Sequence, residues 1–317
     1  MTSVITVEHT YAILCDEGYA QARERSGYFV TYREGDFVPI REQDRLQTDF
    51  SEVYPHSEEE FPFSVFAKTM RSVISKYGDR ILVKSPNAGS PELRRAVCAY
   101  LARGKGINVA PEQIIIGSGA EYIYGLIVQL LGREKLFAIE NPSYEKIRSV
   151  YMANGVECDL LKMGKDGILR SELNRTAAGV LHITPFCSYP SGVTASASKR
   201  REYISWAKKH SGIIIEDDFA SEFTVSTKNE DTVFSLDPYG SVIYINTFSK
   251  TVASSMRIGY MVLPENLAEL FYEKMGFYSC TVPVFDQYVL AEFIENGDFE
   301  RHINRVRRKR RQALKEK

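Results

Sequence analysis

No apolar run in these 317 residues reaches the roughly 18 that a membrane-spanning helix requires. The N-terminus also lacks the charged-then-apolar pattern of a secretory signal. Both absences predict a cytoplasmic protein without a membrane partner. The five cysteines (Cys15, Cys98, Cys158, Cys187, Cys280) are odd in number and show no CxxC spacing, which argues against a disulfide framework or a zinc site. The five histidines (His9, His56, His182, His210, His302) do not cluster in sequence, so structural or surface roles are the default for each. Charge of either sign is not in excess: 40 basic against 41 acidic residues leave a net charge of −1, with no global pull toward nucleic acid or membrane. Internal repeats and low-complexity tracts are missing too.

What remains is an ordinary globular composition, 44% hydrophobic and 26% charged, in a chain long enough for one large or two moderate cores. Its first part differs from the rest. Thr6 to Asp16 predicts a helix with Val7, Tyr11, Leu14 and Cys15 on one side, ended by Gly18. Tyr19 to Val30 reads as a hairpin with a basic, glycine-containing tip. A helix followed by a basic two-stranded ribbon is the second half of a winged helix. From Thr31 to about Glu60 the chain is polar and acidic with little periodicity, as a linker or arm would be.

Beyond Phe61, helical and strand-like segments alternate. Pro91 to Arg103 carries Leu93, Val97 and Leu101 at helical spacing, and Ala120 to Leu131 is a second helix. Ile114 to Ile116, Leu136 to Ile139, Gly179 to Ile183, Ile213 to Ile215 and Val242 to Ile245 are buried-strand candidates. This alternation predicts an α/β fold with a mainly parallel central sheet and helices on both faces. Ligands of such sheets gather beyond the carboxyl ends of the strands, where the chemically loaded residues of this sequence lie.

Lys250 follows one of those strands, within Thr247-Phe248-Ser249-Lys250-Thr251, and Arg257 stands seven residues on. A lysine removed from water loses basicity, and its neutral amine can attack an aldehyde. Hydroxyls and a guanidinium suit a phosphate. Together they match the two ends of pyridoxal 5′-phosphate, although a surface lysine at a strand end is the competing reading. Gly117-Ser118-Gly119-Ala120 connects a strand to a helix and can hold a phosphate on exposed amides, or serve only as a helix cap. It is not a dinucleotide fingerprint, because Tyr122 occupies the third glycine position. Glu216-Asp217-Asp218 ends another strand. A carboxylate there can keep a pyridine nitrogen protonated; a helix cap and a divalent-metal site are the alternatives. The loops at Glu140 to Tyr144 and Thr184 to Gly192 can close over such a site or be plain connections.

The order of these segments resembles fold type I pyridoxal-phosphate-dependent aminotransferases over residues 61 to 317. Within that class the sequence is similar to MocR/GabR-type regulators, in which a GntR-type winged helix is joined to an aminotransferase-like domain. The resemblance divides the chain into a partial winged helix (1–32, recognition helix and wing), a linker or arm (33–60) and an aminotransferase-like domain (61–317). It also implies that the first helices of the winged helix and a C-terminal subdomain are missing, which makes DNA binding by this chain doubtful. Carried over position by position, it makes Lys250 the Schiff-base lysine and Asp217 the partner of the pyridine nitrogen. Arg257, Thr247, Ser249, Ser118, Gly119 and Ala120 become phosphate contacts, and Tyr144 an aromatic neighbour of the cofactor. It implies a homodimer whose two subunits border each site.

Phe219 departs from that pattern, which has tyrosine two residues after the aspartate; Tyr189 is the candidate substitute donor. The arginine-rich run Arg305 to Arg311 is interleaved with Phe299, Ile303, Val306 and Leu314, so a long amphipathic helix with a solvated basic face is expected, without a functional role. The expectation is a regulator that senses or transaminates an amino compound through Lys250. A metabolic aminotransferase and an α/β binding protein without the cofactor are the alternatives.

Overall fold

A computed structural model describes residues 4–16, 19–31, 61–219, 221–223, 231–253 and 255–315. The chain divides into two compact units, Met1–Glu58 and Glu59–Lys317.

In the first unit, helix α1 (Val4–Asp16) precedes strands β1 (Ala20–Arg23) and β2 (Gly27–Val30), paired antiparallel with Ala20 opposite Val30 and Arg23 opposite Gly27. The turn requires positive φ at Arg25 (61°) and Gly27 (96°), a conformation that glycine adopts without steric cost. Tyr11 stacks on Tyr28 with ring centroids 4.4 Å apart, which ties helix to ribbon. The expected helix and hairpin are both present. The expected linker at 33–60 lies outside the described residues.

The second unit opens with α2 (Phe63–Tyr77) and α3 (Pro91–Lys105). Ser90 caps α3 by accepting from the Leu93 amide at 3.2 Å, and Gly106 ends it in a left-handed conformation. Strand β3 (Ile114–Gly117) then runs into α4 (Ala120–Leu131). There follow β4 (Phe137–Asn141), α5 (Glu145–Ala153), β5 (Cys158–Gly164), β6 (Gly167–Ile168), α6 (Arg170–Arg175), β7 (Val180–Ile183), α7 (Ala197–His210), β8 (Ile213–Asp217) and α8 (Val233–Leu236). Strands β9 (Val242–Thr247) and β10 (Gly259–Val262) and helices α9 (Glu265–Met275), α10 (Val284–Glu295) and α11 (Asp298–Lys315) complete the unit.

Eight of these strands form one sheet in the order β3-β10-β9-β8-β7-β4-β5-β6. The run from β9 to β5 is parallel, whereas β10 is antiparallel to both β9 and β3, and β6 to β5. Alternate residues serve opposite layers. Ile115, Ile215, Ile243, Ile245 and Met261 pack with α4, α5 and α9. Ile114, Ile116, Tyr244 and Tyr260 face α3, α10 and α11, and Leu181, Ile214 and Val242 face α7. Cover on both faces explains why the strands read as unbroken apolar runs.

Three strands went unread in the sequence. β5 exposes Lys162 and carries Asp159, β6 has two residues, and β10 is a short return strand. The basic helix starts at Asp298 and buries Phe299, Ile303 and Val306 as its spacing predicts. No described helix is long and apolar enough to cross a membrane.

Candidate functional site

The carboxyl ends of β3, β4, β7, β8 and β9 open at one rim of the sheet. Because β10 runs the other way, its start lies there too, and Arg257 stands two residues before it. A cleft of 450 Å³ at this rim is lined by Lys250, Asp217, Ala120, Tyr144, Tyr189, Thr247, Ser249 and Arg257 among others. Eight of the ten residues singled out in the sequence therefore meet. Ser118 and Gly119 stand in the adjoining β3–α4 turn without lining the cleft.

Lys250 is set by the turn after β9. Phe248 is buried in the core, its amide donating to the Ile258 carbonyl and its carbonyl accepting from the Val252 amide, both at 2.8 Å. Two residues later Lys250 opens onto the cleft, with Nζ 4.4 Å from the centroid of the Phe219 ring. Lys250 is an exposed residue, which departs from the lysine removed from water that the sequence suggested, because the turn lifts it clear of the sheet. Partial burial still draws its pKa below the ordinary 10.5; Cys187 opposes that shift, Arg310 reinforces it, and Asp217 also opposes it.

The acidic triplet is split by strand alternation. Glu216 points to one face and accepts from the Val233 and Phe234 amides, each at 2.8 Å, so the helix-cap reading belongs to this residue. Asp218 lies on the same face, where it takes a 2.9 Å ion pair from the buried Lys105 and a 2.8 Å hydrogen bond from Tyr244. Asp217 points the other way, into the cleft. Its Oδ2 accepts from the Tyr124 hydroxyl and lies 3.7 Å from His182 Nε2, whose ring is held by Tyr151 through a 2.7 Å contact at Nδ1. Its Oδ1 is buried and has no hydrogen-bond partner. Such an atom is costly unless something donates to it.

At the other end of the cleft, Gly119 starts α4 with φ of 93° and no side-chain cap, leaving the first amides of a 12-residue helix unengaged by any cap. A Cβ there would lie 3.0 Å from Arg257 Nη2, so backbone and guanidinium share one narrow space. Glu121 lies 3.6 Å from Arg257 Nη2 and accepts from Lys146 at 3.2 Å. Tyr144 and Tyr189 meet edge to face across the mouth, with centroids 6.0 Å apart. An amine, an unpaired carboxylate oxygen and a cation beside an uncapped helix start are the three anchors that pyridoxal 5′-phosphate requires, and a 450 Å³ cleft accommodates it.

Tyr124, Tyr151 and His182 went unread. Tyr124 sits in an apolar helical run, and His182 sits within a strand, where nothing in the local pattern distinguishes a carboxylate partner from a core residue.

Comparison with known proteins agrees with this geometry. A sequence model of the aminotransferase class I and II family matches residues 51–317. The HTH-type transcriptional regulator YdeL of Bacillus subtilis (strain 168) is 32% identical over 96% of this chain and 68% of its own length. The probable rhizopine catabolism regulatory protein MocR of Rhizobium meliloti is 28% identical over 96% of this chain and 66% of its own. A kynurenine aminotransferase of Pyrococcus horikoshii, solved in complex with PMP, superposes with a TM-score of 0.72 and 26% identity, covering 81% of this chain and 66% of that one. The chain thus spans about two thirds of the length of the curated relatives it matches.

Proposed function

We propose that this chain, which belongs to the aminotransferase class I and II family, is the pyridoxal 5′-phosphate-binding part of a MocR-type transcriptional regulator and receives a small amino compound at Lys250. The observation that carries the reading is the meeting of Lys250, Arg257 and the partnerless Oδ1 of Asp217 around one cleft. When bound, pyridoxal 5′-phosphate supplies an electrophilic aldehyde and an electron-withdrawing ring that no side chain offers.

The protein's own residues do the rest. Lys250, its basicity lowered by partial burial, would be the residue that links to the aldehyde. Asp217 would accept the ring N–H on Oδ1, while Tyr124 donates to its other oxygen and fixes the carboxylate's direction. Arg257, Thr247, Ser249 and the start of α4 receive the phosphate. Tyr144 packs against the ring. Nζ of Lys250, which opens onto the cleft, would be the group placed to hold or move a proton for an amine bound there.

A regulator is favoured over a metabolic aminotransferase by the helix and ribbon of residues 4–31, which catalysis does not need. In this reading the protein works in the cytoplasm as a homodimer, and complete winged helices contact DNA. Reduction with borohydride after adding pyridoxal 5′-phosphate, followed by peptide mapping, tests the core of the proposal. A pyridoxyl group on Lys250 is expected; no adduct, or one confined to other lysines, would overturn it. Candidate amino acids added to the loaded protein then separate the two readings, since spectral change without sustained keto-acid formation marks the sensor.

A further inference from the structure

The anion-receiving end of the cleft already contains an anion. Glu121, in the first turn of α4, lines the cleft and bridges two cations, 3.6 Å from Arg257 Nη2 and 3.2 Å from Lys146 Nζ. All three side chains are roughly half exposed (44%, 53% and 60%), so these contacts are weak, screened and easily exchanged. Arg257 is also the guanidinium against which the Gly119 backbone is pressed, so whatever Arg257 binds must sit beside Glu121.

We propose that Glu121 is the resident counter-anion of Arg257 and sets how strongly the site prefers a phosphorylated aldehyde. It holds the guanidinium when no phosphate is present, and stays beside an arriving phosphate as a like charge. A phosphate monoester brings about −1.5 to −2 charges near neutral pH. Against it stand Arg257, Lys146 and the roughly half positive charge of the α4 start, from which Glu121 subtracts one. The inference rests on the reading of this cleft as the cofactor site. It adds that Glu121 weakens the grip on the phosphate.

A helix-start glutamate has a plain structural use as well, because acids are favoured in a first turn. The two roles separate by ligand charge. Pyridoxal 5′-phosphate and pyridoxal, its phosphate-free form, would each be titrated into wild type, Glu121→Gln and Glu121→Ala, with circular dichroism establishing that the variants fold. Both substitutions are expected to tighten pyridoxal 5′-phosphate by about fivefold, the scale of an exposed charge pair, and to leave pyridoxal within about twofold. The difference between wild type and variants should shrink at high salt. Equal effects on both ligands, or no tightening of the phosphorylated one, would remove Glu121 from this role while leaving the cofactor site in place. If wild type does not take up pyridoxal 5′-phosphate at Lys250, the reading of the cleft fails first, and the proposal with it.

Discussion

At Lys250 the consequences of substitution are expected to be chemical rather than structural. Its side chain opens onto the cleft and makes no hydrogen bond in the core, so Lys250→Ala should change stability by no more than about 0.5 kcal/mol while abolishing the visible absorbance of bound cofactor. Thermal melts and absorbance spectra check both halves. Its lowered pKa also has a direct sign. A neutral amine appears as pH rises through the pKa, so Lys250 should reach full reactivity toward an amine-directed reagent at a lower pH than surface lysines do. Because Asp217 pulls that pKa upward, Asp217→Asn should move the profile lower still. The same substitution removes a charge-assisted hydrogen bond to the ring nitrogen, and cofactor affinity should fall by about 10- to 100-fold, as a titration would show. Lys250, Asp217 and Arg257 were legible as candidates because each lies within a few positions of a strand end, where sheets of this kind collect their ligands. Tyr124, Tyr151 and His182 were not, because their roles arise only where α4, α5 and β7 converge on one carboxylate.

Elements rather than single side chains decide the β3–α4 turn and the β8 terminus. Gly119 has a positive φ and a Cβ there would lie 3.0 Å from Arg257 Nη2, so Gly119→Ala strains the turn and pushes on the guanidinium. A loss of pyridoxal 5′-phosphate affinity larger than any loss of pyridoxal affinity is the expected readout. On β8, burial pushes the Glu216 carboxyl up to about 8 from 4.5. The folded chain therefore keeps a proton that the unfolded chain has released, and this contribution to stability, full below pH 4.5, is lost as pH rises toward 8. Glu216→Gln, permanently neutral, should flatten that part of the stability profile, which melts at intervals across the window would reveal. Local pattern identified β8 and its three carboxylates but did not tell them apart; only the resemblance singled out Asp217. Alternation along a strand with two covered faces separates them: helix cap, cleft lining, and ion pair with Lys105.

For the molecule as a whole, the sheet unit leaves large apolar side chains in solvent, among them Leu82 at 85%, Phe277 at 73% and Phe63 at 71% exposed. A second copy covering these side chains would remove apolar area from water. With the homodimer implied by the resemblance, sedimentation equilibrium should give twice the chain mass, and a monomer at micromolar concentration would contradict it.

Sequence alone determined the class of fold, because the alternation of apolar runs and amphipathic segments follows from burying a sheet on both faces. It also placed Lys250, Asp217 and Arg257 beside strand ends, and residues there share one rim whatever the details of packing. Tertiary structure alone decided which carboxylate oxygen is left without a partner, which tyrosine donates to the other and which histidine stands beside it, and that Glu121 stands against Arg257. Those outcomes depend on the register and approach of elements far apart in the chain, and local periodicity carries no record of either.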